Sequence, residues 1–201
     1  MKRGADDGYD RTMSQLRTPR LLLRQWRQAD LADFAALNAD PEVMRYFPAP
    51  LTRRQSDEFA AHVQETIARQ GWGLWAVEVR DHAPFIGFVG LNRPRFHAHF
   101  TPAIEVGWRL DRRYWGHGYA TEAAVASLTF GFERLDCDEI VSFTATVNVR
   151  SIRVMERLGM SHDPVGDFDH PAVPDGPLQR HVLFRMSRQN WREVGHAPPD
   201  F

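Results

Sequence analysis

The chain has 201 residues, 43% hydrophobic and 25% charged, with a formal net charge of −1 at pH 7. That balance suits one compact domain with a sizeable core and excludes the broad basic surface that holds nucleic acid. The single cysteine, Cys137, excludes an intrachain disulfide and a thiolate metal cluster, and no apolar run approaches the roughly 18 residues of a membrane span.

Residues 1–17 are polar and aperiodic and read as a tail without an apolar leader, which points to a cytoplasmic protein. Met13 competes with Met1 as the start. One domain is expected over 18–188, with 189–201 as a second tail. "RLLLRQW" (20–26) reads as a strand. Asp30 is placed to cap a helix that carries Leu31, Phe34 and Leu37 on one face, with Pro41 ending it. A second helix runs from Thr52 to Gly71, with Phe59, Val63 and Ile67 at every fourth position and Gly71 as its stop. Three strands follow, over 74–80, 85–92 and 102–111, with turn-rich links that favour antiparallel neighbours.

The second half alternates helix and strand. Residues 121–135 are helical, with Val125, Leu128, Phe132 and Leu135 on one face. Residues 138–147 form a β-branched strand. Residues 151–160 form a short helix stopped by Gly159, and 178–187 a last strand. The order predicts a single α/β (α+β) domain. The segment 161–181, rich in proline, glycine and aspartate, reads as a long loop, either a rigid surface loop with solvated acids or one that lines the acceptor entrance.

"DRRYWGHGYATEAA" (111–124) joins a strand to a helix through two glycines. A helix mouth carries unpaired N–H groups, and Gly116 and Gly118 let that backbone approach an anion, with Arg112, Arg113 and His117 adding positive potential. A tight turn with exposed arginines is the competing reading. The Walker and Rossmann glycine patterns are both absent. "HAH" (97–99) is the one close histidine pair and lacks a third ligand, so no metal is expected.

These residues resemble a known family. "RRYWGHG" looks like the acetyl-CoA pyrophosphate loop of the GNAT acetyltransferases. "VGWRLDRRYWGHGYATEA" with "NVRSIRVMERLGM", "TPRLLLRQW" and "DPEVMRYF" resembles the RimJ/RimL-type branch over roughly residues 18–187. The resemblance implies a central, mixed, mostly antiparallel sheet splayed into a V and flanked by about four helices. It implies acetyl-CoA as co-substrate, held by the backbone of Val106, Trp108 and Leu110, by Arg113, Gly116, His117, Gly118, Tyr119 and Ala120, and by Asn148. Asn148 also reads as an N-cap.

Acyl transfer to an amine needs a neutral nucleophile and a stabilised leaving thiolate. An α-amine, at about 7.7–8.0, is partly neutral near neutral pH, whereas a lysine at about 10.4 is short by about 4 kcal/mol. Glu105, in the strand beside the cofactor edge, is the candidate base, direct or through water, with a salt-bridged or acceptor-orienting glutamate as the competing reading. Ser151 is the candidate donor to sulfur, with a helix-start serine bonding its own backbone as the competing reading. Asn148 completes the catalytic set. The family's usual acid, a tyrosine on the helix after the asparagine, is replaced here by Met155. Trp26, Phe47, Asp169 and His170 are the candidate acceptor-side residues, with Trp75 and Asp167 beside them; core packing of the aromatics and solvated surface acids are the competing readings. The acceptor is a peptide or protein N-terminus or a small cationic amine, with no nucleic-acid or membrane partner, and the chain a monomer or homodimer. The alternative is a non-catalytic acyl-CoA sensor or scaffold.

Overall fold

A computed structural model describes residues 15–195. Leu16–Arg17 (β1) and Leu21–Arg24 (β2) form a hairpin, with Leu16 opposite Leu23. Leu16 is 1% exposed, so residues 16 and 17 leave the tail and join the sheet. A two-residue strand is too short to show a period in sequence. The rest of that tail, Met13 included, lies outside the described residues.

Asp30–Ala39 forms α1, but Asp30 is not its cap: Ala29 holds that place, without a side-chain bond. The Asp30 carboxylate turns back to Arg24 (2.8 Å) and to the Arg27 N–H (2.7 Å). A buried guanidinium needs that counter-charge more than the helix needs a cap. Arg53–Gln70 (α2) begins at Thr52, which shares a capping box with Gln55, and ends at Gly71 with φ 82°.

Leu74–Val79 (β3), Ala83–Asn92 (β4) and Glu105–Leu110 (β5) follow as antiparallel neighbours. The third of these strands was expected from residue 102, yet pairing starts at Glu105, after a Thr101–Pro102 bond that is cis. Then come a 3-10 turn at Arg112–Tyr114, Tyr119–Glu133 (α3), Glu139–Ala145 (β6) and Val149–Arg157 (α4). Ser161–His162 (β7) and Phe168–Asp169 (β8) pair with Arg180–Ser187 (β9), so the long loop is partly strand. Arg188–Val194 forms α5, capped by Ser187 on the Asn190 N–H. Its Trp191 is 8% exposed and stacks on Phe132, so 189–194 is no tail and the helices number five among the described residues.

The nine strands form one mostly antiparallel sheet in the order β1-β2-β3-β4-β5-β6-β9-β7, with β8 also on β9. Alternation gives it two faces. Ile104, Val106, Ile140 and Phe184 join the main core with the buried side of α3, while Val141 and Leu183 join a second cluster with Phe100 and Phe168. No helix among the described residues is long and apolar enough to cross a membrane.

Candidate active site

The sheet is continuous except at one seam. β5 and β6 run parallel and register at a single pair, Glu105 with Val141, where the Val141 N–H donates to the Ile104 carbonyl (2.9 Å). One step on, the Ser142 hydroxyl donates to the Val106 carbonyl (2.9 Å), a side chain standing in for the next rung. Beyond it the strands part. The odd-numbered residues of β5 pair their backbone with β4, so Val106, Trp108 and Leu110 turn theirs to the seam. The Leu110 carbonyl accepts from the Trp115 indole (2.8 Å). The expected opening is therefore present, with two of its carbonyls already engaged.

At the wide end lies the glycine turn. Gly116 and Gly118 have φ of 78° and 81°, a region that side-chain-bearing residues avoid. Gly118 is the N-cap of α3 and brings no side-chain bond; the first helical bond runs from the Glu122 N–H to its carbonyl (3.0 Å). The N–H groups of Tyr119, Ala120 and Thr121 stand ahead of that bond, and a Cβ at Gly116 would meet nothing within 4 Å. An uncapped mouth of this shape fits the pyrophosphate of acetyl-CoA.

The cations around the turn differ from the sequence expectation. Arg113 is bidentate on Asp111 (2.6 Å at its closest), which neutralises much of its charge and holds the Asp111 carboxyl below the usual range. Arg112 pairs with Asp40 (3.0 Å). Arg20, not foreseen, donates to the His117 carbonyl (2.9 Å), pairs with Glu122 (2.6 Å) and lies 4.8 Å over the Tyr119 ring. His117 stacks on Tyr119 and its Nδ1 meets the Trp115 carbonyl (2.9 Å). Arg150, also unforeseen, lies 4.5 Å over the Trp115 ring. The Arg20–Glu122 pair spans a hundred residues of chain, and no local pattern reports it.

Across the seam, Asn148 caps α4 on the Ser151 N–H (3.3 Å), as expected. Its amide donates to Thr144 Oγ1 (2.8 Å) and to Ser151 Oγ (3.1 Å). The Trp108 indole N–H also donates to Ser151 Oγ (3.3 Å). Ser151 thus accepts from two directions, and its own O–H remains to donate. Met155 is fully buried, so the position of the family's tyrosine belongs to the core.

Glu105 sits at the seam's closed end with Asn92 as its polar neighbour (3.5 Å). Desolvation raises its pKa to about 7, against a weak opposing bond from Asn92. Its carboxylate lies over Gly107, where a Cβ would stand 3.4 Å from Oε1. On the same face stands an aromatic cluster: Phe96, Phe100, Phe143 and Phe168, joined by His170 and His181. The His170 ring is 4.5 Å from that of Phe96, and burial with His181 nearby lowers its pKa to about 4.

The structure separates the four acceptor-side residues. His170 joins the aromatic cluster beside Glu105. Asp169 is at the surface, 3.5 Å from Arg180. Phe47 is 37% exposed and lies against Arg109. Trp26 is 5% exposed, packs on Phe34 and Phe85, and spends its indole N–H on the Leu74 carbonyl (2.8 Å); it is core and offers an acceptor no surface. Trp75 is fully buried as well. Asp167 is taken up by His162 (2.9 Å) and the Leu183 N–H (3.0 Å), so it secures the loop rather than charging an opening.

Comparison with known proteins gives the family and the fold. Residues 20–161 match the family model described as "Acetyltransferase (GNAT) domain". The chain is 33% identical over 150 residues to the uncharacterized protein YkkB of Bacillus subtilis, covering 74% of this chain and 86% of that one. It is 27% identical over 165 residues to the FsC-acetyl coenzyme A-N(2)-transacetylase of Aspergillus fumigatus, covering 77% and 68%. A solved acetyltransferase of the GNAT family from Bacillus anthracis superposes with a TM-score of 0.72 at 24% identity, covering 88% of this chain and 99% of that one, and shares its fold.

Proposed function

Because the chain belongs to the GNAT acetyltransferase family, we propose that it moves an acetyl group from acetyl-CoA to a primary amine by direct attack within one ternary complex. Acetyl-CoA supplies the activated thioester. The mouth of α3 holds its pyrophosphate, and the seam-facing backbone of Val106, Trp108 and Leu110 takes the place of a neighbouring strand for its pantetheine amides. The resemblance of its motifs to the RimJ/RimL-like branch supports assigning it there.

One observation carries the reading: Glu105 stands beside the point where β5 and β6 part, with no cation among the described residues to hold it ionised. A carboxyl that titrates near the working pH is suited to take a proton from an ammonium, directly or through a water. Ser151, across the seam, has both lone pairs occupied and its proton available for the departing sulfur. Asn148 and Trp108 hold that hydroxyl in place. An α-amine suits so modest a base better than a lysine does.

The test is release of free thiol from acetyl-CoA with a panel of amino acids, polyamines, aminoglycosides, cationic peptides and N-terminal peptides. Glu105→Gln and Ser151→Ala are then assayed with the best acceptor from about pH 6 to about pH 9. Wild-type kcat/KM in both variants would remove these roles and leave positioning alone. Met155, buried where the family carries a tyrosine, favours a second reading, an acyl-CoA sensor without turnover. Tight acyl-CoA binding with no thiol release from any amine would establish it.

A further inference from the structure

Arg109 lies on the same face of β5 as Glu105, and the proposed chemistry leaves it unused. Its guanidinium is enclosed by aromatic rings, with Cζ 4.2 Å from the Phe47 centroid, 5.4 Å from Phe88 and 5.8 Å from Phe59. Its one hydrogen bond among the described residues runs from Nη1 to Asn38 Oδ1 (2.6 Å). Asn38 is fully buried and its amide donates to Ser56 Oγ (2.9 Å), which fixes the oxygen toward Arg109. The Nε–H is shut off from solvent and bonds nothing among the described residues. Of the five N–H donors of a guanidinium, one is thus bonded within the described residues and one more is buried without a partner there.

No carboxylate among the described residues comes within ion-pair distance of this group. Arg24 shows what the chain does elsewhere: 1% exposed, it is met by Asp30 at 2.8 Å and Glu78 at 2.9 Å. At Arg109 burial acts alone and lowers the pKa to about 10, so the group remains a cation near neutral pH. A desolvated cation without a counter-ion is costly, and the cost is recovered when an anion arrives. Of the three rings, Phe47 belongs to the stretch between α1 and α2 that has neither helix nor strand, and it is 37% exposed. The way to the guanidinium is therefore past Phe47.

We propose that Arg109 is an anion subsite of the acceptor pocket: the amine substrate carries a carboxylate that pairs with the Arg109 guanidinium while its amine lies toward Glu105. This rests on the acetyl-transfer reading and narrows its acceptor. The two Cα atoms are four residues apart along one strand, about 13 Å, most of which the Glu105 and Arg109 side chains can themselves span, so the gap between their ends suits an amino acid or a short peptide.

The experiment has two arms. In the first, the purified chain is assayed with glycine, β-alanine and glycylglycine, each beside its carboxamide. The acid of each pair is expected to lead by about tenfold in kcat/KM, and Arg109→Gln to abolish that lead through the acceptor KM while the KM for acetyl-CoA holds within about twofold. Arg109→Lys restores it in part, because a point charge lacks the fork. Equal use of acid and amide, or a variant whose defect lies in acetyl-CoA alone, overturns the proposal. In the second arm, the Arg109 Nε–H resonance, assigned by its loss in Arg109→Lys, is followed as N-acetylglycine or N-acetylglycinamide is added. A shift with the acid only is expected; no shift, or the same shift with both, overturns the subsite. If no amine releases thiol while the acid still moves the resonance, the transfer reading fails and the subsite stands. Should Arg109→Gln fail to fold, the wild-type pairs and the resonance decide.

Discussion

Two side chains carry the proposed chemistry, and each is tuned by its neighbours. Ser151 accepts from Trp108 and Asn148, so its proton has a defined direction. Ser151→Ala is expected to lower kcat by about 10–100-fold with the KM for acetyl-CoA little changed, checked by steady-state thiol release. Trp108→Phe, which removes one of the two donors, loses less. Glu105 behaves differently because its ionisation is opposed by burial. Its pKa is raised to about 7 in the fold from 4.5 when free, so the folded chain binds a proton more tightly than the unfolded one between those values. Stability therefore falls as pH rises through that window and stays lower above it. Activity moves the other way, since a base must be ionised: kcat/KM rises with pH up to about 7 and then levels. Glu105→Gln removes both slopes. It should cost about a hundredfold in kcat/KM, yet above pH 7 it should unfold later in urea by roughly 2–3 kcal/mol.

At the scale of elements, the site is built from the ends of helices and the edge of a strand. α3 opens on Gly118 with φ 81°, and a Cβ there would stand 3.4 Å from Arg20 Nη2, on the guanidinium whose Nη1 donates to the His117 carbonyl. Gly118→Ala should lose about 1 kcal/mol of stability and raise the KM for acetyl-CoA several-fold, measurable by melting and by initial rates. Much of this scaffold is legible in sequence because its signals are local. Thr52 with Gln55 and Gly71 mark both ends of α2, and Gly159 ends α4 with φ 74°. The glycine turn and Asn148 announce the two helix starts of the site. What stayed hidden depends on distant partners. Arg20 reaches Glu122, Ser142 reaches Val106, and Trp108 reaches Ser151; no period or spacing encodes these. α5 hangs on one buried tryptophan, too little for a helical stripe. Arg109 did leave a trace: an arginine inside "VGWRL", with Asp111 two residues on already given to Arg113.

Across the whole molecule, two sets of buried titratable groups oppose each other. His170 is held neutral, its pKa lowered to about 4 from 6.5, and burial lowers His181 as well. A histidine with a depressed pKa contributes stability that is lost as pH falls from its unfolded value toward its folded one. Glu105 gains stability over much of the same interval, so it offsets part of the loss from the two histidines between about pH 6.5 and about pH 4.5. His170→Phe should rise in stability toward acid and Glu105→Gln should fall; denaturant midpoints at each pH test both. The seam has a wider consequence. Exposed strand edges invite pairing with other chains and so aggregation. Here an edge lies in the middle of a nine-stranded sheet, between β5 and β6, with sheet on both sides of it. A second folded copy is too broad to reach it. The protein keeps an unsatisfied edge without the hazard of an outer one, and only a slender, amide-bearing chain can complete it.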